Sequence, residues 1–183
     1  MPGRDAGPTG ADAPGPGAAS TGAAAAQPGP DAAPPSLVAM CRIVCAVEAL
    51  VSLGDAPGGE RRFVPLGGGS VRGPELNGSV VPGGVDWQVR RADGTLEIEA
   101  HYALRLDDGA LVEVRSSGLR HGPPEVMERL ARGEPVGRDE YFFRTLVRFA
   151  TGAPAHAALN RTMALAVGNR EARRVVLDLY RIA

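Results

Sequence analysis

The chain has 183 residues, with 20 basic against 21 acidic side chains and a formal net charge of −1, so nothing points to a nucleic-acid or anionic-membrane partner. Every basic residue is an arginine; the absence of lysine excludes lysine Schiff-base chemistry, pyridoxal phosphate linkage and the lysine-bearing phosphate loop. No apolar run approaches the ~18 residues of a membrane-spanning helix.

Residues 1–35 contain no Val, Ile, Leu, Phe, Tyr or Trp. Ordering a residue costs roughly 1–2 kcal/mol of backbone entropy, and this stretch has almost no apolar surface to offset it. It is predicted to be a disordered tail. Its AAAA run is too short and too interrupted by Gly and Pro for a signal peptide. Residues 36–183 are enough for one domain with a core.

Leu37–Val51 is a long apolar stretch and reads as a strand. Cys41 and Cys45, four residues apart within it, would be roughly 13 Å apart, too far for a disulfide. Free thiols in a reducing cytoplasm are the simpler expectation. The glycine-dense segment 54–84 reads as short extended pieces between turns. Within it, GGGSVRG lacks the dinucleotide-binding spacing, and Ser70 lacks the second glycine of a nucleophile elbow.

Next comes VDWQV. In a regular strand Val85, Trp87 and Val89 point one way, while Asp86, Gln88 and Arg90 point the other. The apolar set is the natural core face, which predicts an inward Trp87 and puts Asp86 at a turn or rim. RADG and LDDG carry Asp-Gly pairs, a strong hairpin signal. Between them TLEIEAHYALRL alternates, with Leu96, Ile98, Ala100, Tyr102, Leu104 and Leu106 on one face. Glu97, Glu99 and His101 share the other face at a spacing metal ligands can use. A solvated outer face explains them equally well, and no metal site is assigned.

ALVEVRSSG returns as a strand, after which Arg120 and His121 fall in a loop. A histidine there can move a proton. PPEVMERLARG reads as the single helix, with Pro124 in its first turn, a Val126–Met127–Leu130 stripe and Gly133 to stop it. EYFFRTLVRFATG, RTMALAVGN and RRVVLDLYRI are three more strands; the first can begin as a helical turn that would bring Tyr141 and Arg144 together. Eight or nine strands with one short helix indicate an all-β antiparallel barrel or sandwich. A closed barrel of about eight strands can hold one small ligand.

The segments GERRFVPLGGGSVRGPELNGSVVPGGVDWQVRRADG, YALRLDDGALVEVRSSGLRHGPPEVMERLARGEPV and EYFFRTLVRFATG…ALNRT resemble, in order, the domain-of-unknown-function 3237 family. The resemblance covers about Leu37 to Tyr180. It implies a single lipocalin-like β-barrel with an internal cavity and no established reaction. The family's recurring elements fall on Asp86–Trp87, Tyr102, Asp108–Gly109, Arg120–Pro124 and Tyr141–Thr145. Where many members read FETG…YAWLN, this chain has Ala150, His156 and Ala158 in place of the acid, the tyrosine and the tryptophan. Those losses would enlarge or neutralise any cavity the positions line.

The expected function is a cytoplasmic barrel binding a small, largely apolar molecule, aromatic or polyketide-like, in a cavity to which Trp87 contributes. As an enzyme it would be a cofactor-free isomerase, cyclase or dehydratase working by side-chain proton transfer and arginine anion stabilisation. The candidate acid–base groups are His121, Asp86, Tyr102 and Tyr141. Trp87, Arg115, Arg144 and Phe149 are candidate substrate-binding residues. The alternatives are a non-catalytic carrier with the same pocket and an interaction protein with a filled interior. No nucleic-acid or membrane partner is expected, and a homo-oligomer is left open.

Overall fold

Side-chain alternation along residues 96–106 decides the architecture, because one face of that segment must be covered. A computed structural model describes residues 33–183. It contains β1 (Leu37–Val47), β2 (Val51–Ala56), β3 (Gly59–Arg72), β4 (Gly78–Arg90), β5 (Leu96–Leu106), β6 (Leu111–His121), α1 (Pro124–Ala131), β7 (Phe142–Ala150), a 3-10 segment (Pro154–Arg161), β8 (Met163–Arg170) and β9 (Arg174–Ile182). From β3 to β9 each strand pairs antiparallel with the next. β1 lies between β9 and β3 and closes an eight-stranded ring, while β2 joins β3 as a ninth strand. The all-β barrel with one short helix is therefore present. Among the described residues no helix is long and apolar enough to cross a membrane. The predicted disordered tail, apart from its last residues, lies outside the described residues.

Two long strands replace the short pieces expected over residues 54–84. β3 runs for 14 residues and β4 for 13. The Gly67–Gly69 run is a bulge inside β3 and not a turn: two steps from Leu66 to Gly68 face one from Val47 to Ala46 on β1. Gly68 takes φ +99° there, a left-handed conformation that suits glycine. The odd shift flips the alternation, so Leu66 and Val71 both point inward and are buried.

The barrel is filled at one end and open at the other. Met40, Val71, Leu104, Val112, Val114 and Leu179 are at most 1% exposed. Removing each of these side chains from water stabilises by roughly 1.5–3 kcal/mol. They seal the half where β5 ends and β6 begins. At the opposite end β6 leads into α1, whose Val126 and Leu130 are buried. Cys41 and Cys45 both lie in β1, buried and free, as their spacing predicts.

Candidate functional site

β5 keeps its predicted face: Leu96, Ile98, Tyr102, Leu104 and Leu106 are buried. Its neighbour β4 presents the opposite face to that expected. Four steps from Val81 to Val85 match two from Ala103 to His101 on β5, so a two-residue bulge leaves the alternation in phase. Asp86 and Gln88 consequently share the inward face with Val80. Trp87 points outward, 46% exposed, its ring 5.0 Å from that of Phe63. The expectation of an inward Trp87 is thus corrected. The even positions carry β4's buried side chains, and on the outside the tryptophan gains an aromatic neighbour on β3.

The open half of the barrel holds a lumen of about 50 Å³, walled by Ile43, Val64, Leu66, Ile98, Phe143 and Leu177 among others. At roughly 10–15 Å³ per water, it takes several waters or the flat end of a small molecule. Val64, Gln88, Arg120 and Arg170 are shared with a wider vestibule of about 510 Å³, bordered by Pro124, Met127, Glu128, Leu130 and Ala131 from α1.

Polar groups enter this apolar space from five strands, β4 to β8. Gln88 donates to Asp86 Oδ2 at 2.7 Å and accepts from Arg62 Nε at 3.1 Å. Ser116 Oγ donates to Thr145 Oγ1 at 2.7 Å in a buried contact. Among the described residues three sealed side-chain atoms have no protein partner: Asp86 Oδ1, Tyr102 Oη and Arg120 Nε. All three residues line the lumen. A buried polar group without a partner costs about 1–3 kcal/mol, and more when charged. Unpartnered groups converging on one space leave hydrogen-bonding capacity there that water or a ligand can complete. Tyr102 fits there because Gly84 faces it; a Cβ on Gly84 would lie 2.4 Å from Tyr102 Cβ.

Burial pushes the Asp86 carboxyl above the usual carboxylate range, opposed by the Gln88 hydrogen bond and the charge of Arg120. Burial likewise lowers the Arg120 guanidinium to about 10, with Asp86 acting the other way. Burial raises the Tyr102 phenol, which stays protonated at neutral pH. Among the described residues no ion pair joins Asp86 to Arg120 or to any other arginine. The site thus offers a proton-exchanging carboxyl, a fixed hydroxyl donor and a fixed cation.

Of the eight residues singled out from the sequence, Asp86 and Tyr102 come together here. The other six do not line the lumen. β6 alternates through Val112, Val114, Ser116 and Arg120 inward, so Arg115 and His121 face out. Arg115 binds Glu113 at 2.7 Å, and His121 stacks on Phe142 at 4.8 Å. Arg144 is also outside, its guanidinium 5.3 Å from the Phe142 ring centre. Tyr141 is buried just before β7, donating to Asn169 Oδ1 at 3.1 Å and accepting from the Arg170 backbone N–H at 2.8 Å. No helical turn joins it to Arg144. Phe149 points inward but belongs to the packed core. Ala150 and Ala158 are exposed, and His156 binds Asp108 at 2.7 Å. These three departures do not line the lumen, so they neither enlarge nor neutralise it.

Gln88, Ser116, Arg120, Thr145 and Arg170 were missed as site residues. For Arg120 the signal was present: it continues the Val112–Val114–Ser116 alternation once β6 is extended to His121. Glu97, Glu99 and His101 lie on the outer face, and no group of three metal-ligating side chains occurs among the described residues.

Fold and lumen define a closed antiparallel β-barrel protein whose polar groups are gathered at its open end. The chain belongs to the family described as "Protein of unknown function (DUF3237)", which matches residues 35–182. It is 39% identical over 140 residues to the UPF0311 protein RPA1785 of Rhodopseudomonas palustris, covering 76% of this chain and 92% of that one. The crystal structure of the conserved RPA1785 protein superposes with a TM-score of 0.80 at 36% identity, over 83% of this chain and all of that one. A 52-residue stretch, 28% of this chain and 34% of the other, is 42% identical to the hydroalkoxylation enzyme phnH of Penicillium herquei. An enzyme from Penicillium herquei shares the fold, with a TM-score of 0.64 at 23% identity over 85% of this chain and 99% of that one.

Proposed function

We propose that this barrel is a cofactor-independent acid–base enzyme acting on a small, largely apolar molecule, aromatic or polyketide-like, held in the lumen. The observation that carries this reading is the convergence of Asp86 Oδ1, Tyr102 Oη and Arg120 Nε, sealed and unpartnered, on one apolar-walled space. Asp86 is the proton-transfer group. Its carboxylate removes a proton from carbon next to a carbonyl; the electron pair moves to the carbonyl oxygen, and Arg120 and Tyr102 stabilise the resulting oxyanion. Return of the proton to another carbon isomerises the substrate. Run as an acid, the Asp86 carboxyl gives its proton to one carbon of a C=C bond. A hydroxyl of the same substrate bonds to the other carbon, and its proton returns to Asp86. That addition is what the name of the fungal relative describes, and the partial identity to it supports the enzyme reading.

The test is solvent deuterium incorporation into 2-tetralone at the carbons flanking its carbonyl, followed by NMR. Wild-type protein should exchange the label at least tenfold faster than Asp86→Asn, in line with the ~10²–10⁴ that a positioned base contributes. Equal rates for wild type, Asp86→Asn and buffer would overturn proton transfer; saturable binding of the ketone without exchange would make the protein a carrier.

A further inference from the structure

Arginines ring the passage between lumen and vestibule. Arg62, Arg90, Arg120 and Arg170 all line the vestibule, and the latter two also line the lumen. Glu60 serves Arg90 at 3.1 Å and Arg62 at 3.8 Å. Asp86 faces the same passage from within. Glu128, on the α1 side, is 73% exposed and 4.0 Å from Arg132. Neither Arg120 nor Arg170 pairs with a carboxylate among the described residues. Arg170 is held instead by backbone: its Nη1 donates to the Glu171 carbonyl and, at 3.2 Å, to that of Arg174. Tyr141 Oη fixes its N–H at 2.8 Å. Arg120 is only 9% exposed and stacks over Phe143 at 5.7 Å.

Four guanidiniums thus meet three carboxylates, Glu60, Asp86 and the exposed Glu128, and α1 and the strand ends restrict access of water to Arg62, Arg120 and Arg170. Crowding like charges costs free energy, and partial burial raises that cost because solvent screens less. A group held this way is stabilised by an incoming anion, and guanidinium is suited to planar, delocalised ones. Below the passage the walls are mostly aliphatic and aromatic, with Asp86, Tyr102 and the Ser116–Thr145 pair as the polar exceptions, and they suit an uncharged body.

We infer that the substrate or ligand of this site is an amphipathic organic monoanion, a carboxylate or phenolate, whose charge rests between Arg120 and Arg170 while its flat apolar body fills the lumen. This rests on the lumen's being the ligand site. It adds a rule for selection: charge at the neck, apolar bulk inside.

Three probes of one shape test it by titration calorimetry: cinnamate, cinnamyl alcohol and cinnamylamine. Cinnamate should bind at least tenfold tighter than the alcohol, and the amine weakest. Arg120→Gln and, separately, Arg170→Gln should each reduce the preference for acid over alcohol to within about threefold. Arg90→Gln, at the more open edge with its side chain 58% exposed, should reduce it less and guards against misfolding of the buried variant. Equal binding of acid and alcohol would overturn the charge rule and leave the lumen site standing. Failure of all three probes to bind would overturn the lumen reading, and this inference with it.

Discussion

Asp86 and Arg120 enter one lumen from β4 and β6 and feel each other's charge without forming an ion pair. Burial is the larger influence on Asp86, so its carboxyl binds a proton more tightly in the folded than in the unfolded chain. The folded state therefore holds more protons between the ordinary aspartate value and the raised one, and stability falls as pH rises through that window. Asp86→Asn keeps the Gln88 hydrogen bond and removes the charge. At pH 8 the variant should be more stable than wild type by about 1–3 kcal/mol, the usual relief for a buried unsatisfied group. The advantage should shrink as pH falls towards 4. Urea midpoints of both proteins across pH 4–8 decide the matter; parallel curves would mean that Asp86 is solvated.

Ser116 and Thr145 form a closed pair between β6 and β7. Thr145→Val leaves the Ser116 hydroxyl buried without its partner and should cost about 1–3 kcal/mol. Adding Ser116→Ala removes the orphan and should recover part of the loss, giving a coupling that a double-mutant cycle measures. Strict additivity would mean that the pair is not closed in solution.

Trp87 is the only tryptophan in the chain and lies on the outer face against Phe63. Its emission should be that of a partly exposed indole and should not respond to ligands entering the lumen. Trp87→Ala should cost about 0.5–1.5 kcal/mol, the worth of an aromatic pair, well below the ~3–5 of a core deletion. A blue-shifted emission that changes on ligand addition would put the indole inside.

Cys41 and Cys45 are buried, and burial raises both thiols, Cys41 to about 12. Because the thiolate is the reactive form, native protein at pH 8 should resist iodoacetamide, whereas denatured, unreduced protein should take up two adducts. Intact mass before and after denaturation reads this directly. Rapid labelling of native protein would show that the lumen admits solvent to Cys45.

β5 was legible because it obeys a simple rule from Leu96 to Leu106, with apolar residues at every inward position and charged or polar ones at every outward position but Ala103. The neighbouring β4 breaks it. A lumen meant for polar contact puts Asp86 and Gln88 inside, and an aromatic pair outside turns Trp87 towards solvent. Choosing the apolar face as the inner one then selects the wrong side. β6 failed differently: the glycines and prolines after Ser117 read as a loop, so Arg120 lost its place in the alternation and His121 took its role. Arg170 could not be found locally at all. Its position depends on β8 lying two strands from β6, and on a Tyr141 hydroxyl 29 residues away. Hydrophobic patterning reports the filled half of the barrel well, and the half lined by polar groups poorly.

β1 pairs with β9 from Leu37↔Ile182 to Ala46↔Arg174, residues separated by well over a hundred positions along the chain. During synthesis the first strand must wait for the last, and until then the sheet keeps two unsatisfied edges open to pairing with other chains. Contacts this distant along the sequence slow folding. Val175 and Leu177, which finish the lumen wall, arrive with that final strand. Binding competence should therefore appear in one kinetic step, together with closure of the ring. An unfinished barrel should show neither partial affinity nor a partial site, and a ligand added during refolding should act as a latch on the last strand.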